Sequence, residues 1–432
     1  MNYPYFRSLL RKSCLFWSIK SLSQLSPMNR KKFLLVTSTL PGNFGVGPII
    51  LRDLLREIKN FDFSILGLML PNFSPETNEE SFVEQPELKI FTWKVPRNDF
   101  WHRFVLIRVI RKILNFISNI LATRQCLVQA NHYYSSNQFN GVIVVLDDYK
   151  TILTGWRLSR RWRVPLYVYI WDDPDCVLSS SQVNQWLKRY ALYNFAVTLK
   201  MAGKGAVVSE NMQKDYHRVY GLDSLIVRHG ISLKYYNLPE NRGVTQKTAD
   251  GEIVIGFAGT LYAISAWEAL IEALNHLNWK VDNHDVRIRV LGYSFKFTAT
   301  FPQRIEFLGY HSPENTIEIL RKSTLNYLPY PFEPSLYKFS RYSFPTKLSS
   351  YVASGAPIMV HAPEYSELFS FSQKNSMGIT TSSLDSSILA ELVYGFLTSN
   401  TAVAKAREVV NQVAKDELSY NKFIDNFRQF LD

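Results

Sequence analysis

The stretch Phe33-Leu-Leu-Val-Thr-Ser-Thr-Leu-Pro-Gly-Asn-Phe-Gly-Val-Gly-Pro-Ile-Ile-Leu51 decides how the chain is read. Its first five residues form an apolar run short enough for one buried strand. Gly42, Gly45 and Gly47 then break the pattern, and Ile49, Ile50, Leu51, Leu54, Leu55 and Ile58 recur at helical spacing. Strand, glycine loop and helix in that order open a parallel α/β unit. The same alternation continues with strand-like runs at 63–68, 141–146, 166–170 and 205–208. Runs of four to six apolar residues separated by helical patterns predict parallel strands buried on both faces.

Residues 239–251 are polar and aperiodic, which predicts a linker. Beyond it the pattern restarts with strands at 253–257, 286–291, 305–308, 325–330 and 357–360. Helices are expected at 266–277, 313–323 and 346–354, and one last helical segment at about 402–430. The sequence therefore predicts an α/β protein of two doubly wound, Rossmann-like domains facing a central cleft. The divisions are a basic N-terminal extension (1–30), an N-terminal domain (31–238), the linker (239–251), a C-terminal domain (252–401) and a C-terminal helix (402–432) packing back on the first domain.

The chain has 432 residues, enough for two or three cores, and 46% apolar with 20% charged residues excludes a largely disordered chain. Cys14, Cys126 and Cys176 make no disulfide framework and no Cys-x-x-Cys pair, so a cytoplasmic, reducing location is expected. Of the net +12, residues 1–60 carry +8, from ten Lys or Arg against Asp53 and Glu57. Such a patch suits anionic lipid, nucleic acid or a phosphorylated ligand. Residues 1–30 read either as a leader before a start at Met28 or as a basic amphipathic segment on a membrane. Arg103–Arg124 is a basic amphipathic helix. It reads either as a cover for the sheet or as a contact with an anionic membrane at the inner face of the cytoplasmic membrane. Arg157, Arg160, Arg161 and Arg163 cluster with Trp156 and Trp162, but no nucleic-acid module surrounds them, so no nucleic-acid partner is expected.

Three segments carry chemistry. Gly45 and Gly47 lie in the first loop, which reads as a plain turn or as a phosphate-approaching loop at the cleft; it matches neither a Walker loop nor a strict G-x-G-x-x-G. Asp172 and Asp173 end a buried strand, as helix caps or as cleft carboxylates that take a proton or hold sugar hydroxyls. The densest segment, Tyr337–Pro357, has Pro345 and Thr346 at a helix start, Ser343 and Thr346 as caps, Arg341 and Lys347 beside them, and Gly355 at the helix end. It reads as an ordinary capped helix or as a cationic cradle for a diphosphate.

Within that segment, Pro345-Thr-Lys-Leu-Ser-Ser-Tyr-Val-Ala-Ser-Gly-Ala-Pro-Ile358 resembles the P-S-K-L-x-E-Y-x-A-x-G-x-P-V signature of group-1, family-four retaining glycosyltransferases with the GT-B fold. The Gly42–Pro48 loop, Val207–Met212, Val227–Ile231, Gly256–Leu261 and Ile305–His311 resemble further family segments, in the family's order, so the likeness runs from about 31 to 430. The resemblance implies a nucleotide-diphosphate-sugar donor held by the second domain and a glycan or lipid-linked acceptor held by the first. It implies no metal and no cofactor. By the same match, Lys347 and Thr346 neutralise the leaving diphosphate together with Arg341, Tyr310 and His311 lie near the base, Gly45 and Gly47 approach the donor, and Asp172 stands at the sugar. The resemblance is that of a divergent member. The family's paired glutamates fall at Tyr342 and Ser350, with Glu333 as a substitute, and Thr260 and Ser265 stand in or near the places of an Arg and a Lys. Two other readings stay open: a catalytically degenerate GT-B protein binding glycan or a partner enzyme, and a nucleotide-sugar epimerase.

Overall fold

The computed structural model describes residues 30–43, 45–71, 87–94, 105–135, 138–181, 183–231, 251–295, 297 and 299–432. The expected extension at 1–30 and linker at 239–251 lie outside the described residues, except Arg30 and Gly251.

Apolar strand runs build two sheets. The first contains β1 (Lys32–Thr37), β2 (Asp62–Met69), β3 (Glu87–Thr92), β4 (Gly141–Val145), β5 (Leu166–Ile170), β6 (Lys204–Val207) and β7 (Ser224–Ile226). Their order is β3-β2-β1-β4-β5-β6-β7, and every pair is parallel. Side chains alternate across it. Leu34, Val36, Val142 and Val144 enter one core, while Phe33, Leu35, Ile143 and Val145 enter the other. Two-sided burial is why the central strands β1, β4 and β5 read as near-continuous apolar runs.

The first core is covered by α2 (Val105–Tyr133), α3 (Tyr149–Trp162), α5 (Gln185–Met201) and α6 (Glu210–Tyr220); the short α4 (Pro174–Ser180) precedes α5. The second is covered by α1 (Val46–Glu57) and by α14 (Tyr420–Leu431), the last helix of the chain.

The second sheet has β8 (Ile253–Ala258), β10 (His284–Leu291), β11 (Ile305–Gly309), β12 (Leu325–Pro329), β13 (Ile358–His361) and β14 (Gly378–Thr381) in the order β11-β10-β8-β12-β13-β14, all parallel. A short β9 (Lys280–Val281) joins β10 antiparallel. α7 (Ile264–His276) and α12 (Ser386–Thr398) pack on one face. α8 (Pro313–Arg321), α10 (Lys347–Ser354), α11 (Glu367–Asn375) and α13 (Asn400–Asp416) pack on the other, and the short α9 (Tyr337–Tyr342) precedes α10. In both sheets the strand order reverses beside the first strand, the place where open α/β sheets hold ligands.

The expected single C-terminal helix is two. α13 buries Val410 and Val413 in the second lobe, and α14 buries Phe423, Phe427 and Phe430 against the first. Between them Ser419 caps α14 by accepting from the Lys422 amide, so the chain turns instead of continuing. Here the returning chain meets the outgoing one, with the Ile231 amide donating to the Leu418 carbonyl at 2.7 Å. A Cβ on Gly230 would sit 2.4 Å from the Ser419 carbonyl oxygen, so only glycine fits this crossing.

Ion pairs tie the lobes together. The Glu367 carboxylate of α11 accepts the Glu210 and Asn211 amides at the start of α6, at 3.0 and 3.1 Å, and pairs with Arg228 at 2.5 Å. Negative charge at a helix N-terminus is favourable, and both partners are nearly buried. The Arg228 guanidinium also lies against the rings of Phe344 and Phe371, 4.3 and 5.2 Å from their centroids. Removing one member of a buried pair strands the other, at roughly 3–5 kcal/mol. Glu367→Ala should therefore lower the thermal midpoint in calorimetry by several degrees. An unchanged midpoint would show that the pair contributes nothing net.

Candidate active site

Two cavities lie between the carboxyl ends of the two sheets. The smaller, about 300 Å³, is bounded by Gly47, Trp171 and Asp172 from the first lobe and by Tyr262, Tyr330 and Lys347 from the second. The larger, about 600 Å³, runs from Arg52 and Asp53 of α1 past Gly259 and Gly292 to Tyr310, His311 and Ser350. Val46, His229, Thr346, Lys347 and Ser349 line both, so these five residues mark where the cavities meet.

Lys347 begins α10 and is half-buried, its Nζ donating to the Thr260 carbonyl at 3.1 Å. The ammonium lies over the rings of Phe257 and Tyr262, at 5.3 and 5.7 Å. Among the described residues no carboxylate forms an ion pair with it. Burial without a counter-charge pushes its pKa down to about 8. Gly259, at φ +103°, lets the β8 loop pass this side chain, with Nζ 3.6 Å from where a Cβ would stand.

The caps differ from expectation. Thr346 makes no side-chain cap, and the Leu348 and Ser349 amides bond back to Pro345 and Thr346 in a tight first turn. Ser343 crosses the cleft and donates to Asp172 Oδ1 at 2.7 Å, an interlobe contact in place of a cap. Burial raises the Asp172 pKa, and the Ser343 hydrogen bond opposes that rise. Asp173 does cap α4, accepting from the Asp175 amide.

The structure brings seven of the predicted residues to the cavities: Gly47 and Asp172 to the smaller, Tyr310, His311 and Ser350 to the larger, and Thr346 and Lys347 to both. A Cβ on Gly47 would come 2.9 Å from the Trp171 ring, so glycine is what lets α1 start against that wall. His311 donates from Nε2 to the Leu308 carbonyl, which fixes the ring, while Tyr310 is largely exposed.

Four predicted residues lie elsewhere. Arg341 is not a cavity cation: it binds Asp215 of α6 through Nε at 3.0 Å and Nη2 at 2.8 Å, joined by the Tyr342 hydroxyl at 2.9 Å. Two guanidinium N–H groups converge on one oxygen of that carboxylate, Oδ2, and the charge-assisted pair acts as a lobe-to-lobe clamp. Glu333 accepts from the Ser265 amide and hydroxyl at the start of α7, leaving its buried Oε2 without a partner. Thr260 reaches the site through its carbonyl alone, on Lys347. Gly45, at φ +84°, precedes α1 and lines neither cavity.

Sequence reasoning missed the group around His229. Its Nε2 lies 3.8 Å from Asp53 Oδ2, is buried, and has no hydrogen-bond partner. Asp53 also binds Arg52, which reaches Asn43 at 2.7 Å. Burial alone would raise the Asp53 carboxyl, but His229 and Arg52 outweigh it and hold it below the ordinary carboxylate value. The Val227–Ile231 segment was the available signal, since a histidine just past a strand end at the sheet's carboxyl edge faces the cleft.

No family model matches the chain, and no curated protein matches it in sequence. Solved structures do. Over 93% of its length the chain superimposes on HepE from Anabaena, solved with UDP and glucose, at TM-score 0.59 and 14% identity over 99% of that chain. Sucrose-phosphate synthase from Thermosynechococcus elongatus matches over 93% of this chain and 98% of its own, at TM-score 0.60 and 14% identity. The fold is GT-B. WaaG, a glycosyltransferase involved in lipopolysaccharide biosynthesis, matches this GT-B chain over 92% of its length and 98% of its own, at TM-score 0.55 and 10% identity.

In this GT-B cleft the unpaired Lys347 would make the binding of an anion beside it depend on pH. Below its pKa of about 8 the ammonium stands ready. Above it, binding an anion must first take up a proton, so affinity falls by up to about tenfold per pH unit. Calorimetry with inorganic pyrophosphate as the probe anion should show weaker binding at about pH 9 than at about pH 7, and Lys347→Arg should flatten the difference. A flat wild-type profile would remove Lys347 from the anion site.

Proposed function

We propose that the protein is a glycosyltransferase that moves a hexosyl or related sugar, with retention, from a nucleotide-diphosphate sugar to a glycan or lipid-linked acceptor. The observation that carries this reading is Lys347, an ammonium without a counter-charge, where two cavities bounded by both lobes meet. The unit at 252–401 holds the donor and the unit at 31–238 holds the acceptor. Tyr310 and His311 flank the base, Ser350 takes the ribose place that an acid fills in the similar family, and Lys347 with Thr346 meets the diphosphate. The sugar enters the smaller cavity, where Asp172 and the backbone at Gly47 face it. The fold shared with HepE, which is solved with UDP and glucose, supports a nucleotide-sugar donor.

In the transfer, the bond from sugar C1 to the diphosphate oxygen breaks, a bond from C1 to the acceptor oxygen forms, and the acceptor's hydroxyl proton passes to the departing diphosphate. Negative charge grows on the leaving diphosphate. Fixed positive groups aimed at that growing charge lower the barrier and do more than bind. In this reading the chain's own groups neutralise the diphosphate, with no metal or cofactor, and the protein works in the cytoplasm. Lys347→Ala should lower turnover of the accepted sugar donor by roughly ten- to a thousandfold with the fold intact. Turnover at the wild-type rate would remove the lysine from the mechanism.

A second reading is a GT-B protein that binds glycan or a partner without turnover. It is favoured by Tyr342 and Ser350 in place of acids and by the engagement of Arg341 with Asp215. Calorimetry with UDP, GDP and ADP separates the two. The enzyme reading expects saturable binding of one of them, the second expects none.

A further inference from the structure

In the layer of α2, α3 and α5 on the first sheet, α2 turns an apolar face outward. In α2, Asn119 and Thr123 are buried with Ala122, Cys126 and Ala130, and Asn119 accepts the Trp93 indole N–H at 2.9 Å. The opposite side of the same helix exposes Ile110, Ile113, Leu114, Ile117 and Leu121, each by 39–53%. The spacing i, i+3, i+4, i+7 and i+11 makes these one continuous stripe. As a plain cover for the sheet, one of the two readings of Arg103–Arg124, the helix would put its apolar residues on the sheet and its polar ones in water; the other reading, a membrane contact, leaves the apolar face outward. An apolar helix face turned outward marks an interaction surface.

Charge says what covers it. None of the three helices contains an Asp or Glu. Their exposed cations are Lys112, Arg124, Arg160, Arg161, Arg189 and Lys200. Trp186 and Tyr193 stand out from α5 beside Tyr190, whose ring packs on Phe116 of α2 at 5.3 Å. Asn184, which caps α5, donates to Asn115 beside the stripe at 3.0 Å. Apolar stripe, interfacial aromatics and the cations of three helices that contain no acid thus share one layer of the first lobe.

We propose that this face docks on an anionic phospholipid surface. Two copies of the chain meeting through it would bring like charges together, which opposes self-association. An anionic lipid headgroup layer neutralises those cations while its acyl boundary takes the isoleucines and leucines and its interface takes Trp186 and Tyr193. Among the described residues no helix is long and apolar enough to cross a membrane, so the contact is a surface one. In a parallel α/β unit each crossover helix starts at the strands' carboxyl ends. The stripe in the first half of α2 therefore lies toward the edge that carries the cavities, in position for a membrane-borne acceptor.

Flotation of the full chain tests this without any sugar donor, so its outcome is separable from that of the glycosyltransferase reading. The wild type should float with phosphatidylcholine vesicles containing about 30% phosphatidylglycerol, not with phosphatidylcholine alone, and should release as salt rises. Leu114→Glu with Ile117→Glu, and separately Lys112→Glu with Arg124→Glu, should each weaken binding about tenfold or more while leaving the thermal midpoint unchanged. Failure of the wild type to float with anionic vesicles would overturn the proposal, as would flotation of the Glu variants at wild-type strength. A wild-type dimer in light scattering that Leu114→Glu dissolves would assign the face to a second copy instead.

Discussion

Opposite charges meeting across the seam between the lobes determine everything that happens in the cleft. Glu367 joins Arg228 to the amino end of α6, and Asp215 joins Arg341 and Tyr342 to the same helix. Asp172 takes the Ser343 hydroxyl beside them. These contacts use directional, charge-assisted hydrogen bonds, which specify a separation between lobes more sharply than apolar packing does. The crossing of Gly230 and Ile231 against Leu418 and Ser419 sets the second point of contact. With both in place the two carboxyl sheet edges face each other at a spacing that leaves two joined cavities.

The seam also explains why Lys347 stands alone. The nearby acids are already engaged: Asp172 with Ser343, Asp53 with Arg52 and His229, Asp215 with Arg341. The cleft thus presents one ammonium whose only polar contact among the described residues is a carbonyl, at a cost visible in its lowered pKa. Holding a cation ready in partly desolvated surroundings is the arrangement that favours an incoming anion, since its attraction is weakly screened there.

Much of the architecture was legible because two-sided burial leaves a strong mark. β5 runs from Leu166 to Ile170 as read, and the other central strands differ from expectation by one or two residues. The short or edge strands β3, β7 and β14 left no such mark, because partly exposed positions such as Glu87, Lys89 and Thr380 carry no apolar run. Site residues behaved similarly. Lys347, Thr346 and Asp172 were visible from their places at element ends. Arg341 looked equivalent to Lys347 in sequence, yet its partner Asp215 lies 126 residues away and settles its role. His229 and Asp53 escaped notice because only the folded chain brings α1 next to the end of β7.

By itself, then, the sequence determined two parallel α/β units, the position of the glycine loop, and a basic helix start at Thr346 and Lys347. Those features depend on local periodicity and on the backbone demands of glycine and proline, which act over a few residues. Tertiary structure alone decided which cations face the cleft and which are spent across the seam. It also decided that α2 turns its isoleucines outward. Partner choice among charges, and the choice of which helix face to bury, depend on groups far apart in the chain, and no local pattern encodes that distance.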